Sequence, residues 1–247
     1  MCSGFDSTRR HESLEEGGSH HHQSAHRRHV FWLTAGLAIL GCLASDPILR
    51  QAGSFADEKP RSKFNRVLAV GDQAPEFDGL LGTDGQRHSL KDHREAKVVV
   101  VMFIRNLCPT THVYEPRLRE FAKSVAGKDV ELVAISVSRN PAEGLDRMAV
   151  RAKEKGYTWP YLQDESQFTG REYGATVTPQ FFILNAERKI AYMGAFDDNV
   201  KADRVKERFV IEAVQALLDG DSPKTRETLA KGCEIEFAGD KSRESRP

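Results

Sequence analysis

Cysteine is scarce in this 247-residue chain. There are four, Cys2, Cys42, Cys108 and Cys233, too few and too scattered to staple a small disulfide scaffold. No two of them form a C-x-x-C pair, and no Cys/His cluster has the spacing of a zinc site. Net charge is missing as well. The 36 basic and 36 acidic side chains cancel, which removes any electrostatic argument for nucleic acid or for an anionic membrane surface as partner. No apolar run reaches the roughly 20 residues of a full membrane span. No internal repeat is visible. Nothing in the pattern calls for a cofactor or a resident metal. What remains is one domain of ordinary size with appendages, and chemistry at a single thiol, alone or with one distant partner.

The N-terminal quarter is not domain-like. Residues 1–29 are polar and rich in Ser, Gly and His, and read as a disordered region. His20-His21-His22 reads as an incidental tract within it. Val30–Ala44 is uncharged, follows Arg27-Arg28-His29, and has the length of an export-signal core or membrane anchor. Three outcomes stay open: lipidation at Cys42 in Ile39-Leu40-Gly41-Cys42, cleavage near Ser54-Phe55-Ala56, or retention as a tether. Each places the following domain outside the cytoplasm, periplasmic or anchored to the cytoplasmic membrane facing outward. Residues 45–66 read as a polar linker.

The domain is expected over 67–220, with a tail, 221–247, that carries Cys233. Its centre is Val98–Glu115. A β-branched apolar run, Lys97–Ile104, marks a strand buried on both faces. It stops at Arg105-Asn106-Leu107 and is followed by Cys108-Pro109. An amphipathic helix then presents Val113, Leu118, Phe121, Ala122 and Val125, with Pro116 either in its first turn or kinking it. Asp84-Gly85 predicts a hairpin between Phe77–Leu81 and Gln86–His88. Val130–Val137 is a second buried strand, helix 142–155 ends at Gly156, and Trp159–Leu162 is a short strand. Ser166–Tyr173 is a helix stopped at Gly174. Val177-Thr178-Pro179 leads into the strand Gln180–Leu184, which pairs with Ile190–Ala195, and one long helix is expected over Lys201–Leu218. This order predicts an α/β sandwich with a mixed central sheet.

A thiol at a strand–turn–helix junction is activated by backbone N–H groups and the helix dipole. The bland alternative for Cys108 is a small buried hydrophobe. Arg105 either stabilises a thiolate or is a solvated charge. Thr111 either hydrogen-bonds the sulfur or caps the helix. Tyr114 and Glu115 fit a proton relay and equally fit capping and packing. Cys108 with His112 makes only half a metal site.

The residues Gly71–Phe77 (GDQAPEF), the strand running into Cys108-Pro109, Tyr114-Glu115, Arg151–Gly156, Pro160–Glu165, Thr178-Pro179 before Phe181-Phe182, and Gly232-Cys233 together resemble the thioredoxin-like superfamily, in its redoxin or peroxiredoxin-like branch. The resemblance spans about 67–237. It implies a thioredoxin-like three-layer sandwich with an N-terminal β-hairpin extension. It also implies a cis-Pro179 facing the thiol, with Thr178, Pro179 and Pro109 around the substrate. The first cysteine of the family's C-x-x-C is Arg105 here, so a neighbouring disulfide cannot form. The resemblance then makes Cys233 a resolving cysteine, or else a free thiol. The expected activity is thiol-dependent disulfide exchange or peroxide reduction at Cys108, with a protein disulfide or a peroxide as substrate and a thiol reductant to reset it. The alternative from another class is a redox-silent module that binds a protein partner in the Pro179 groove.

Overall fold

The computed structural model describes residues 62–240. The expectations for the polar N-region, the export segment with Cys42 and most of the linker lie outside those residues. Along the described chain come β1 (Leu80–Gly82), β2 (Arg87–His88), β3 (Val98–Phe103), α1 (Pro109–Val125) and β4 (Val130–Ser136). Then follow α2 (Leu145–Lys155), β5 (Tyr161–Gln163), α3 (Phe168–Glu172), β6 (Val177–Thr178), β7 (Gln180–Leu184), β8 (Ile190–Gly194), α4 (Phe209–Leu218) and β9 (Cys233–Glu234). Among the described residues no helix is long and apolar enough to cross a membrane.

Seven strands form one mixed sheet in the order β2-β1-β5-β4-β3-β7-β8. β3 lies at its heart, parallel to β4 and antiparallel to β7. All six β3 residues are buried, because helices or loops cover both faces. Alternation along the strand divides the core in two. Val98, Val100 and Met102 face α1, α2 and α4 through Leu118, Phe121, Met148, Val210 and Ala213. Val99, Val101 and Phe103 face the entry segment, Tyr173 beyond α3, and Ile235 near the C-terminal end, through Ala74, Phe77 and Leu90. The result is three layers. The Asp84-Gly85 hairpin forms as expected, and β1 also pairs with β5, so the hairpin extends the main sheet.

Packing begins ahead of Val67. Asn65 is buried, donates its amide to the Tyr173 carbonyl at 2.8 Å, and accepts the N–H groups of Val67 and Leu68. Gly174 faces it at φ +60°, where an added Cβ would meet Asn65 Oδ1 at 2.3 Å.

Two helices differ from expectation. In α1 the buried face runs through Thr111, Tyr114, Leu118, Phe121 and Val125, while Val113 is half exposed. The helix starts at Pro109, so Pro116 sits in its second turn, where it cannot donate to the His112 carbonyl. The long helix over Lys201–Leu218 is broken: Ala202–Arg204 is a single 3₁₀ turn and α4 starts only at Phe209. The Asp198 carboxylate accepts the N–H groups of Lys206 and Glu207, and Asp198 N–H donates to the Glu207 carbonyl. Those bonds hold the chain extended before α4.

The C-terminal stretch does not trail away. Thr228 pairs with Met193 and Tyr192 at the β8 edge, and β9 adds antiparallel to β6. Further on, buried Gln167 donates to the Glu236 carbonyl and accepts Ala238 N–H. The stretch is a strap laid across the end of the sheet.

Candidate active site

β3 delivers the chain to a tight turn. Ile104 N–H still donates to the Ile135 carbonyl, and Cys108 N–H closes on the Arg105 carbonyl at 3.4 Å. A buried carboxylate braces this turn: Glu143 accepts Leu107 N–H at 2.6 Å on one oxygen and the Ser138 hydroxyl at 2.7 Å on the other. Buried Asn106 accepts the Tyr161 hydroxyl at 3.2 Å. Cys108 is then the N-cap of α1 with Pro109 in the first helical position, where proline's missing N–H costs nothing.

The Cys108 sulfur is fully buried. It accepts Thr111 N–H at 3.4 Å, and its thiol donates to the Thr178 carbonyl at 3.0 Å. The Thr178–Pro179 peptide is cis. Across from Thr178 in the small two-stranded sheet stands Cys233, its direct register partner. Its sulfur lies 4.0 Å from the Thr110 hydroxyl, and both cysteines are free thiols.

Burial pushes the Cys108 thiol up, because a desolvated thiolate is costly. The opposing effects win and bring it down to about 7: the neighbouring Cys233 thiol first, then the Thr111 and Thr178 side chains, then Thr111 N–H. The two threonine hydroxyls are buried and have no hydrogen-bond partner among the described residues. The effective donors are thus the helix mouth and the strap. Arg105 is not one of them. Its side chain lines a cleft of about 530 Å³ beside the thiol, together with Leu107, Val137, Glu143, Thr178 and Ile235.

The structure therefore brings Cys108, Pro109, Thr111, Thr178, Pro179 and Cys233 to one point, with Arg105 on the adjoining wall. Tyr114 and Glu115 point elsewhere. The Tyr114 hydroxyl bonds Asp197, and burial beside that carboxylate pushes it up to about 12. Glu115 is held by Arg151 at 2.6 Å and by the Tyr157 hydroxyl. Both tie helices to loops and leave the thiol alone. His112 is engaged with the Asn106 carbonyl. Glu143 and Gln167 escaped the sequence reading. Charge and amide side chains are usually exposed, and nothing local marks these two as buried.

A buried thiol capping a helix opposite a cis-proline, on a mixed sheet with helices on its faces, defines a thioredoxin-like redox fold. The family model described as Redoxin matches residues 69–207, more than half of the chain, and the chain belongs to that family. A hypothetical protein of Sinorhizobium meliloti 1021 is 31% identical with a TM-score of 0.65; the match covers 71% of this chain and 98% of that one. An uncharacterized conserved protein of Geobacillus kaustophilus is also 31% identical with a TM-score of 0.66, covering 71% and 95%. A putative protein disulfide isomerase of Bacteroides thetaiotaomicron, at 20% identity and a TM-score of 0.52, covers 63% and 94% and shares the fold. No functionally curated protein matches. Family membership supports a thioredoxin-like redox function.

Proposed function

We propose that this protein is a two-cysteine thiol oxidoreductase, exported and working outside the cytoplasm, in which Cys108 attacks and Cys233 resolves. The observation that carries the reading is the pairing of β9 with β6. It sets Cys233 opposite Thr178, whose carbonyl accepts the Cys108 thiol at 3.0 Å, so the second thiol stands beside the first.

With a disulfide substrate, the Cys108 thiolate attacks one sulfur, forms a mixed disulfide and expels the other as a thiolate. The Cys233 thiolate then attacks Cys108 Sγ. An intramolecular disulfide forms, the second substrate sulfur leaves, and the substrate has gained the two electrons that the cysteine pair has lost. With a hydroperoxide, Cys108 takes one oxygen as sulfenic acid and releases an alcohol. Cys233 displaces water from the sulfenic acid to give the same disulfide. An external thiol returns the pair to the reduced state in both cases.

Arg105 in place of a neighbouring cysteine is the feature behind a second reading, a redox-silent module that binds a partner protein. The test is turnover of insulin disulfides and of cumene hydroperoxide by the natural protein, Cys108→Ser and Cys233→Ser. The two-cysteine reading expects turnover of at least one substrate, lost in Cys108→Ser. Equal, background-level rates in all three proteins would favour the binding module.

A further inference from the structure

The cleft beside the thiol holds a guanidinium with nothing to do. Arg105 occupies one wall, and its Nε is buried without a hydrogen-bond partner. Among the described residues its side chain makes no ion pair and no hydrogen bond. A buried donor left unsatisfied is costly, and more so when charged. Glu143, on the same lining, does not bond it: its two oxygens accept Leu107 N–H and the Ser138 hydroxyl. Arg139 adds a second positive charge on the lining, where the carboxylates are Glu143, braced by Leu107 and Ser138, and Glu236 on the strap. Leu107, Val137, Pro141 and Ile235 supply apolar walls. At about 530 Å³ the cleft is in the size range of small-molecule sites. Thr178 stands between the cleft and the reacting sulfur: it lines the cleft, and its carbonyl lies 3.0 Å from Cys108 Sγ.

Resting on the proposed redox function, the geometry points to this cleft as a carboxylate subsite: Arg105 holds the carboxylate of a small anionic substrate while its disulfide or peroxide group lies at Cys108. A guanidinium suits that task, since its planar fork of N–H groups matches a carboxylate in two-point contact. The selective group thus stands three residues before the nucleophile, on the same rigid turn. Substrate charge and substrate sulfur or oxygen are thereby placed relative to one another by one short piece of backbone.

The experiment compares matched pairs. Oxidised glutathione is set against its ethyl ester, and linoleic acid hydroperoxide against its methyl ester, with the natural protein, Arg105→Gln, Arg105→Lys and Glu236→Gln. The two pairs distinguish a disulfide substrate from a hydroperoxide. The expected result is a preference for the acid over the ester of about tenfold in kcat/KM, carried by KM, as one charge-assisted hydrogen bond implies. Arg105→Gln removes the preference, Arg105→Lys keeps part of it, and Glu236→Gln enlarges it. Glutathione sulfonate, which cannot react, serves as a binding probe: its titration should move the Arg105 Nε–H resonance of the natural protein. No acid preference, or an equal loss on acid and ester in Arg105→Gln, overturns the subsite while leaving the redox function standing. Absence of all turnover sinks the redox function instead, and the sulfonate titration then decides the subsite: an unmoved Arg105 resonance rejects it and a moved one supports it.

Discussion

The two cysteines reach the same point by opposite routes. Cys108 is placed by its own neighbours: six buried strand residues before it, a turn braced by Glu143, and a 17-residue helix after it. Cys233 has almost no local support, since its strand is two residues long. It is placed by contacts with distant parts of the chain. Gly232 lies so close to the Thr178 carbonyl that an added Cβ would sit 2.0 Å from the oxygen. Ile235 N–H donates to the Thr176 carbonyl at 2.9 Å, and Gln167 clasps Glu236 and Ala238. Cys108 is held by its own elements, and Cys233, its proposed partner, sits on a strap fastened on either side. That difference suits a thiol that must first meet a substrate and then be reached by a second thiol. Cys108 is fully buried, so in the proposed reaction the neighbouring strap has to yield for substrate to enter.

The comparison can be broken at either end. The largest effect is expected from Cys108→Ser, which removes the nucleophile and should bring turnover down to the uncatalysed rate; substantial remaining activity would mean that the chemistry lies elsewhere. Next comes Gly232→Val. Overpacking against the Thr178 backbone, worth about 1–3 kcal/mol, should lift the strap. Cys108 then reacts with Ellman's reagent in the native protein and ceases to close on Cys233. An unchanged thiol titration would show that the strap does not guard the sulfur.

Cys233→Ala should have a smaller effect, read in the pH dependence. It removes the neighbouring thiol that does most to lower Cys108, so the thiolate absorbance at 240 nm should rise at a pH above about 7. A linked effect on stability follows. In the reduced natural protein the folded thiol has a lower pKa than the unfolded one, which is about 8.5. Between these values the unfolded chain holds the proton that the folded chain has released, so stability rises with pH and is lost again as pH falls through 7. Denaturant melts at pH 6 and pH 9 should show this gain, and Cys233→Ala should reduce it. The smallest effect is expected from Arg171→Ala. Arg171 holds the strap's outer end through an exposed ion pair with Asp240 at 3.2 Å and a cation–π contact with Phe237. Exposed pairs contribute about 0–1 kcal/mol, so a shift in melting of a few degrees at most is expected, with the Cys108–Cys233 couple intact.

The same contrast explains what the sequence disclosed. β3 is a continuous apolar run, and β4 and β7 are nearly so, interrupted only by Glu131, Ser136 and Gln180; only burial on both faces accounts for such runs. The Asp84-Gly85 turn and the Gly156 cap have chemistry that speaks locally, and Gly156 indeed takes a left-handed φ of 63°. Cys108 was legible because a strand, a turn and a helix announce their own junction. Val113 misled because it stands next to Tyr114, and apolar character alone does not say which of two adjacent residues faces the sheet. The break before α4 was invisible because it depends on the Asp198 side chain competing for backbone N–H groups. Cys233 was the least legible, since its place depends on folding across the whole domain. Its one local sign was the glycine beside it, which the close approach to Thr178 explains.

The central claim is that Cys108 and Cys233 form one redox couple. Its most direct test is equilibration of the natural protein in glutathione buffers of graded potential, followed by acid quench, alkylation and peptide mass spectrometry. A single two-electron transition is predicted, ending in an intramolecular Cys108–Cys233 disulfide. Oxidation that leaves Cys233 alkylatable while Cys108 is glutathionylated or over-oxidised, or both thiols still free at the most oxidising potential, would contradict it.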